Sequence, residues 1–91
     1  MIHLMSTFFG DFDDNTMILN MMLQACYKNN QTVLKYIDHS FHPYGYSAVI
    51  LLSESHFSIH TWPEKNLAQV DLFSCNPDLD AARKTIEIFA G

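Results

Sequence analysis

The chain has 91 residues, of which 48% are hydrophobic and only 16% are charged, so it fits one small domain and is too apolar to be disordered. Its net charge is -5, with five Lys and Arg in total, which excludes the basic surface that binding to nucleic acid or to an acidic membrane requires. A chain this short buries its apolar surface poorly when alone, so we expect a second copy as its partner.

Apolar runs and turn residues divide the chain into five strands and two helices. An aspartate cap ahead of a broad apolar stripe predicts the first helix. In chain order the predicted elements are a strand over 2–9, a helix from Asp13 or Asp14 to Asn29 and Asn30, strands over 31–41, 46–53, 56–62 and 67–74, and a helix over 77–91. This order predicts an α+β two-layer sandwich, in which an antiparallel sheet carries both helices on one face.

One face of the predicted 56–62 strand is rich in polar and aromatic groups. Side chains alternate along a strand, so Phe57 and Ile59 are expected in the core. The opposite face then carries His56, Ser58, His60 and Trp62. Two imidazoles and an indole indicate chemistry there. A simpler interpretation stays open, in which His60 and Ser55 are ordinary exposed polar residues on a solvated face of the sheet.

Two other chemistries are disfavoured by motif spacing. In an extended strand His56 and His60 are ~13 Å apart, too far to bind one metal ion, so no metal site is expected. A serine hydrolase would carry a Gly-x-Ser-x-Gly turn around its nucleophile, and the sequence contains none.

The cysteines and the start of the chain indicate the compartment. Cys26 and Cys75 are too few for the disulfide framework of a small secreted protein, and we assign Cys26 to the core of the first helix. Residues 1–4 lack the cationic start of a signal peptide. The longest apolar run, 48–52, is far shorter than the ~20 residues that span a bilayer. We expect a cytoplasmic protein.

Three segments carry a more specific pattern. They read ESHFSIHTWPE from Glu54 to Glu64, FHPYGYS from Phe41 to Ser47, and VDLFSC up to Cys75. Together they resemble the prokaryotic pyruvoyl-dependent S-adenosylmethionine decarboxylases, and the likeness extends over nearly the whole chain. The chain is identified as a single-domain member of that family, short and C-terminally truncated because it stops at Gly91 where relatives continue.

The resemblance implies that the chain cuts itself between Glu54 and Ser55. Ser55 corresponds to the serine whose hydroxyl attacks the Glu54 carbonyl and which then becomes the pyruvoyl group. His60 corresponds to the base that removes the Cα proton in the elimination, and Ser47 to a serine that assists by hydrogen bonds. Cys75 corresponds to the cysteine that assists processing and later protonates the decarboxylated carbon. The pyruvoyl carbonyl serves as an electron sink for the substrate amine.

Substrate-binding residues are implied as well. Phe41 and Trp62 correspond to the aromatic pair that sandwiches adenine, and Glu64 to the carboxylate that accepts from both ribose hydroxyls. Two simpler interpretations stay open, Phe41 as a core residue and Glu64 as a solvated turn residue. The implied substrate is S-adenosylmethionine, the product is the aminopropyl donor for spermidine synthesis, and the assembly is a homodimer with active sites near the contact between protomers.

The chain departs from the family pattern at three places. Lys65-Asn66-Leu67 replaces an aromatic-glycine-aromatic turn, Asn76 replaces a glycine, and Asp11 stands where a cysteine often occurs. Two alternative functions therefore stay open. One is a relative that decarboxylates L-ornithine or L-arginine, and the other is a non-catalytic homologue that binds S-adenosylmethionine or regulates an active partner.

Overall fold

The computed structural model describes residues 1–75 and 77–90. The elements are β1 (Ile2–Phe9), α1 (Asn15–Lys28), β2 (Val33–Ser40), β3 (Tyr46–Leu52), β4 (Ser55–Trp62), β5 (Leu67–Ser74) and α2 (Leu79–Ile86), with 3₁₀ turns at Pro63–Lys65 and Glu87–Phe89. The five strands form one antiparallel sheet in the order β1-β5-β4-β3-β2. Within the described residues no helix is long and apolar enough to cross a bilayer.

Both helices pack on the same face of the sheet. Helix α1 contacts β2 and β3, whereas α2 contacts β1 and β5. The core lies between the two layers, and its largest fully buried side chains include Tyr46, Phe57, Met22, Ile50, Leu52 and Ile59. The predicted two-layer α+β sandwich is confirmed, as is the expectation that Phe57 and Ile59 belong to its core.

The predicted caps of the first helix are resolved in favour of Asp14. Its side chain accepts a hydrogen bond of 3.0 Å from the Met17 N–H group, so helix α1 begins one residue later. At the other end the Asn29 side chain donates to the Ala25 carbonyl over 2.8 Å. Cys26 is fully buried, which confirms its assignment to the core.

The strand predicted over 31–41 is shorter at both ends in the structure. The chain leaves α1 through Asn30, which has a φ of 60°, and the Gln31 N–H group then donates to the Cys26 carbonyl over 2.9 Å. At the far end the Phe41 N–H group donates to the Gly45 carbonyl over 2.9 Å, closing a turn. Local hydrogen bonds therefore replace strand pairing at both ends.

The bounds predicted for the remaining elements differ less from those in the structure. The helix predicted over 77–91 is α-helical over Leu79–Ile86 and continues as a 3₁₀ turn; its predicted end at Gly91 and the departure at Asn76 lie outside the described residues. Asn66, at the place of a family glycine, has a φ of 51°. Asparagine tolerates this left-handed conformation better than most residues, so the turn between β4 and β5 forms without glycine.

The second face of the sheet, here called the open face, has no helix on it among the described residues. Strand pairing places neighbouring side chains of this face in rows, such as His60 between Ser47 and Gln69. Exposed large apolar side chains also lie on it, including Met5, Phe9, Ile37, Val49, Leu51 and Trp62. A face with this much exposed apolar surface is typical of a contact with another protein.

Candidate active site

The Glu54–Ser55 peptide lies at the tip of the hairpin between β3 and β4. Leu52 and Ser55 are the last paired residues, so only Ser53 and Glu54 form the loop. The Ser53 N–H group donates to the Thr32 carbonyl over 3.1 Å. This hydrogen bond fixes the loop against Thr32, which lies in the connection between α1 and β2.

Cys75 lies beside the same peptide, directly after β5. Its thiol donates a hydrogen bond of 2.9 Å to the carbonyl oxygen of Glu54. A donor on a carbonyl oxygen stabilises the negative charge that develops there when a nucleophile attacks the carbon. Three of the predicted site residues, Glu54, Ser55 and Cys75, are thus brought together, and we call them the cleavage cluster.

A small cavity of about 210 Å³ opens beside the cleavage cluster. Its lining is predominantly polar and comprises Asn30, Gln31, Thr32, Ser53, Glu54, Ser55 and Cys75. Since Glu54 and Cys75 are exposed and Ser55 is half-buried, the Glu54–Ser55 peptide is accessible from this side.

Ser47 and His60 form a second polar pair on the open face. They lie directly opposite each other in the register of β3 and β4, and the Ser47 Oγ is 2.7 Å from the His60 Nδ1. This hydrogen bond fixes the plane of the imidazole, so that Nε2 points away from Ser47. A ring held in this way can exchange a proton through Nε2.

Aromatic side chains form a cavity of about 370 Å³ around this pair. Its lining is Phe41, Tyr44, Gly45, Ser47, His60, Thr61, Trp62 and Glu64. Five of these residues, here called the pocket cluster, are predicted site residues: Phe41, Ser47, His60, Trp62 and Glu64. Phe41 is 50% exposed, so the alternative that it belongs to the core is wrong. Glu64 is an exposed turn residue that also lines the cavity.

The cleavage cluster and the pocket cluster do not meet within one copy of the chain. Ser55 and His60 are at opposite ends of β4, and five residues of extended strand span ~16 Å. His60 therefore does not contact the Glu54–Ser55 peptide of its own chain. The structure brings together three predicted residues at one end of the sheet and five at the other.

The structure adds residues that the sequence analysis did not single out. Tyr44 and Gly45 line the pocket, and Gly45 has a φ of 112°, which side-chain-bearing residues rarely adopt. The turn sequence Pro-Tyr-Gly was a signal for this position. Gln31, at the cavity beside the cleavage cluster, was predicted as an ordinary strand residue, and no local pattern distinguishes it.

One larger cavity lies apart from these clusters. This cavity of about 780 Å³ lies on the outer surface beside α1, and the described residues lining it include none of the predicted site residues. Among residues 1–75 and 77–90, no group of three or more His, Cys, Asp or Glu side chains is arranged to hold a metal ion. The ring of His56 stacks on Phe73 at 5.7 Å.

Burial perturbs two titratable groups in the core. It raises the pKa of the Cys26 thiol to about 11. Burial also raises the pKa of Tyr46, and the hydrogen bond of 2.6 Å that its hydroxyl donates to Asp38 acts in the same direction. Both groups stay protonated at neutral pH, so neither supplies a base.

Comparison with known proteins gives one consistent family. The family model described as S-adenosylmethionine decarboxylase matches residues 3–90. A protein named S-adenosylmethionine decarboxylase proenzyme from Thermotoga petrophila is 46% identical over 68 residues, which are 74% of this chain and 52% of that protein. One of the same name from Pseudomonas paraeruginosa is 44% identical over 72 residues, or 79% of this chain and 45% of the relative. The chain thus spans about half the length of these curated relatives.

A solved structure shares the fold. The crystal structure of the adenosylmethionine decarboxylase from Aquifex aeolicus superposes with a TM-score of 0.83 at 31% sequence identity. The match covers 96% of this chain and 74% of that one. That crystal structure therefore has the same arrangement of sheet and helices as the chain described above.

Proposed function

Because the chain belongs to the S-adenosylmethionine decarboxylase family, we propose that it cuts its own Glu54–Ser55 bond and then decarboxylates S-adenosylmethionine. The product would be decarboxylated S-adenosylmethionine, the aminopropyl donor for spermidine synthesis. One observation carries the proposal: the Cys75 thiol donates a hydrogen bond of 2.9 Å to the carbonyl oxygen of Glu54.

This contact addresses the difficult part of the reaction. A peptide carbonyl is a poor electrophile, and it accepts a nucleophile only where donors stabilise the developing oxyanion. The Ser55 hydroxyl belongs to the residue that follows this carbonyl. Its oxygen forms a bond to the Glu54 carbon while the carbon–nitrogen bond breaks, and the hydroxyl proton ends on the released amine. The result is an ester between Glu54 and Ser55.

The second step needs a base. Removal of the Ser55 Cα proton expels the Glu54 carboxylate from Cβ and leaves a double bond. Water then replaces the nitrogen, which leaves as ammonia, and the new chain starts with a ketone. We assign the base to His60, whose Nδ1 lies 2.7 Å from the Ser47 Oγ and whose Nε2 is directed away from it.

The residues around Ser55 fit a pyruvoyl group. Ser55 begins β4 immediately after a two-residue loop, beside a polar cavity of about 210 Å³. When present, this group condenses with the substrate amine and accepts the electron pair released with CO₂. Cys75 is the residue of the cleavage cluster that carries a transferable proton, so we assign to it the return of a proton to the substrate carbon. Most thiols are protonated at neutral pH.

The pocket cluster supports an adenosyl substrate. Phe41 and Trp62 present exposed aromatic faces on one cavity of about 370 Å³, and aromatic faces attract both adenine and a sulfonium cation. The Glu64 carboxylate at the rim accepts hydrogen bonds from vicinal hydroxyls. L-ornithine and L-arginine have neither an adenine ring to lie between two aromatic side chains nor vicinal hydroxyls for the Glu64 carboxylate.

We infer that a complete active site needs two copies of the chain. Ser55 and His60 of one copy are ~16 Å apart along β4, whereas the chemistry requires them in contact. A second copy laid on the open face about a two-fold axis would place its pocket cluster against the first cleavage cluster, and the reverse contact follows by symmetry. The exposed apolar side chains of the open face favour this contact. We place the enzyme in the cytoplasm, where reducing conditions keep Cys75 a thiol.

Intact mass measurement tests the proposal directly. We expect two fragments that separate after Glu54, with a pyruvoyl group in place of Ser55, and release of CO₂ from carboxyl-labelled S-adenosylmethionine. Ser55→Ala should stay whole because no oxygen remains to attack, while the matched variant Ser6→Ala on β1 should be cut normally. A folded unaltered chain that stays whole would contradict the proposal, and cleavage with CO₂ release only from L-ornithine or L-arginine would contradict its substrate.

A further inference from the structure

Gln31 is a buried residue with an unmet hydrogen-bonding group. The residue is among those that line the cavity beside the cleavage cluster, and it is only 7% exposed. The side-chain Nε2 is buried and has no hydrogen-bond partner among the residues that the structure describes. The great majority of buried polar groups in proteins are paired, so an unpaired donor at a reactive peptide calls for an explanation.

The backbone around Gln31 is held in place on both sides. The Gln31 N–H group donates to the Cys26 carbonyl over 2.9 Å, and the next residue, Thr32, accepts from the Ser53 N–H group over 3.1 Å. The second bond links the segment directly to the loop that contains Glu54. The backbone that carries the Gln31 side chain is therefore fixed next to the loop that contains Glu54.

The cleavage cluster lacks one feature of an efficient acyl-transfer site. Sites that stabilise an oxyanion generally combine more than one donor, held in place before the reaction. In the intact chain the Glu54 carbonyl oxygen accepts a hydrogen bond from the Cys75 thiol. A carbonyl oxygen that becomes an anion gains acceptor capacity, and an amide N–H₂ group is a suitable second donor.

We propose that Gln31 is a further catalytic residue of self-cleavage, donating from its side-chain amide to the Glu54 oxygen as the Ser55 hydroxyl attacks. The inference rests on the proposed self-cleavage. The amide is unpaired in the intact chain and gains its partner only when the oxygen carries negative charge. An interaction accelerates a reaction to the extent that it is stronger in the transition state than in the ground state, so a donor that gains its partner only in the transition state contributes in full.

The terminal torsion of glutamine makes this donation possible. Rotation about the last side-chain bond is broad and roughly two-fold, so the amide can turn its N–H₂ group towards the cavity without moving the backbone. The backbone hydrogen bonds of residues 31 and 32 remain intact during such a rotation.

A refolding experiment tests the role of Gln31. Chains kept unfolded in urea start the reaction together on dilution, and intact mass then follows cleavage with time. Gln31→Met keeps the approximate volume and removes the donor, so we expect cleavage about 10²-fold slower. Gln31→Glu places a negative oxygen there and should be at least as slow. Gln24→Met, the same change at an exposed position of α1, should be cut at the unaltered rate.

Thermal unfolding of uncut chains separates catalysis from folding. On a Ser55→Ala background Gln31→Met should not lower Tm, because it removes an unpaired buried donor. If the variant does not fold, the rate of Gln31→Glu decides in its place. Cleavage of either folded variant within about threefold of the unaltered rate would overturn the role of Gln31 while leaving self-cleavage standing. An unaltered chain that stays whole would overturn both.

Discussion

Cys75 and Glu54 are 21 residues apart in the chain, yet the thiol of one donates to the carbonyl oxygen of the other over 2.9 Å. The contact exists because β5 pairs with β4 and ends beside the loop that precedes it. In the proposed self-cleavage, this contact would supply a donor for the attack of Ser55 and a thiol near the group that the attack would create.

Removing the Cys75 thiol should slow self-cleavage. We expect Cys75→Ala to be cut about 10²-fold more slowly, because the Glu54 oxygen loses the donor that the structure gives it. Cys75→Ser keeps an O–H donor and should lose less. The time course of intact mass after refolding measures both rates. Cys26→Ala, which changes the buried cysteine, is the matched control, and equal rates for all three variants would exclude a role for this contact.

Two inactive variants should complement each other if the active site is shared between copies. Ser55→Ala lacks the nucleophile and His60→Ala lacks the base, so neither should yield a pyruvoyl chain alone. Refolded together in equal amounts, about half of the His60→Ala chains should sit in mixed dimers and be cut, since each mixed dimer contains one complete site. Mass spectrometry distinguishes the two variants.

The complementation has a specific control. Mixing Ser55→Ala with Cys75→Ala pairs two defects of the same cleavage cluster, so no mixed dimer regains an intact one. A mixture of Ser55→Ala and His60→Ala that yields no cut chain, although sedimentation shows dimers, would refute the shared site.

The single tryptophan of the chain reports on ligand binding. Trp62 lines the pocket with Glu64, so S-adenosylmethionine should change its fluorescence in a Ser55→Ala background, where no turnover occurs. Glu64→Gln should weaken binding about tenfold, which corresponds to roughly 1.4 kcal/mol for replacing a charged acceptor by a neutral amide. Glu87→Gln, outside the pocket, should bind as the unaltered chain does. Equal affinities would exclude Glu64 from the site.

Stability should fall in alkaline solution. The pKa of the Cys26 thiol is raised from 9.0 to about 11 by burial, so the unfolded chain releases this proton at lower pH than the folded chain. The contribution of the Cys26 thiol to the free energy of unfolding is therefore complete below pH 9 and is lost as pH rises towards 11. Tyr46, whose pKa is raised above 10.0 chiefly by burial, adds a loss of the same sign beginning near pH 10.

Urea denaturation of uncut Ser55→Ala chains checks this assignment. The free energy of unfolding should decrease between about pH 9 and 10 in this chain but stay nearly constant when Cys26→Ala is added. Above about pH 10 both chains should lose stability, because Tyr46 is present in each. An equal decrease in the two chains between pH 9 and 10 would show that another group is responsible.

Local sequence rules account for much of this fold. Alternation along β4 separates Phe57 and Ile59 in the core from His56 and His60 on the open face, as the period of a strand dictates. An aspartate before an apolar stripe places the start of α1, with Asp14 as the cap. These features depend on residues a few positions apart, which is the range over which such rules act.

The arrangement of the candidate site depends on longer-range pairing. The order of strands brings Cys75 to Glu54, and no spacing within the sequence encodes this distance; the resemblance to the family alone grouped these residues. The resemblance also did not predict the distance between Ser55 and His60, because it gives each residue a role without saying whether the two act in the same copy of the chain. Gln31 was missed since its importance comes from a missing partner, which only the packed structure reveals.

The strand order β1-β5-β4-β3-β2 means that a cut after Glu54 divides the protein without releasing either piece. The fragment that starts at Ser55 would contain β4 and β5. The fragment that ends at Glu54 would contain β1, which pairs with β5, and β3, which pairs with β4. Separation of the fragments requires two complete ladders to open at once, so the nicked molecule should migrate as one particle in native gels and resolve into two bands only after denaturation.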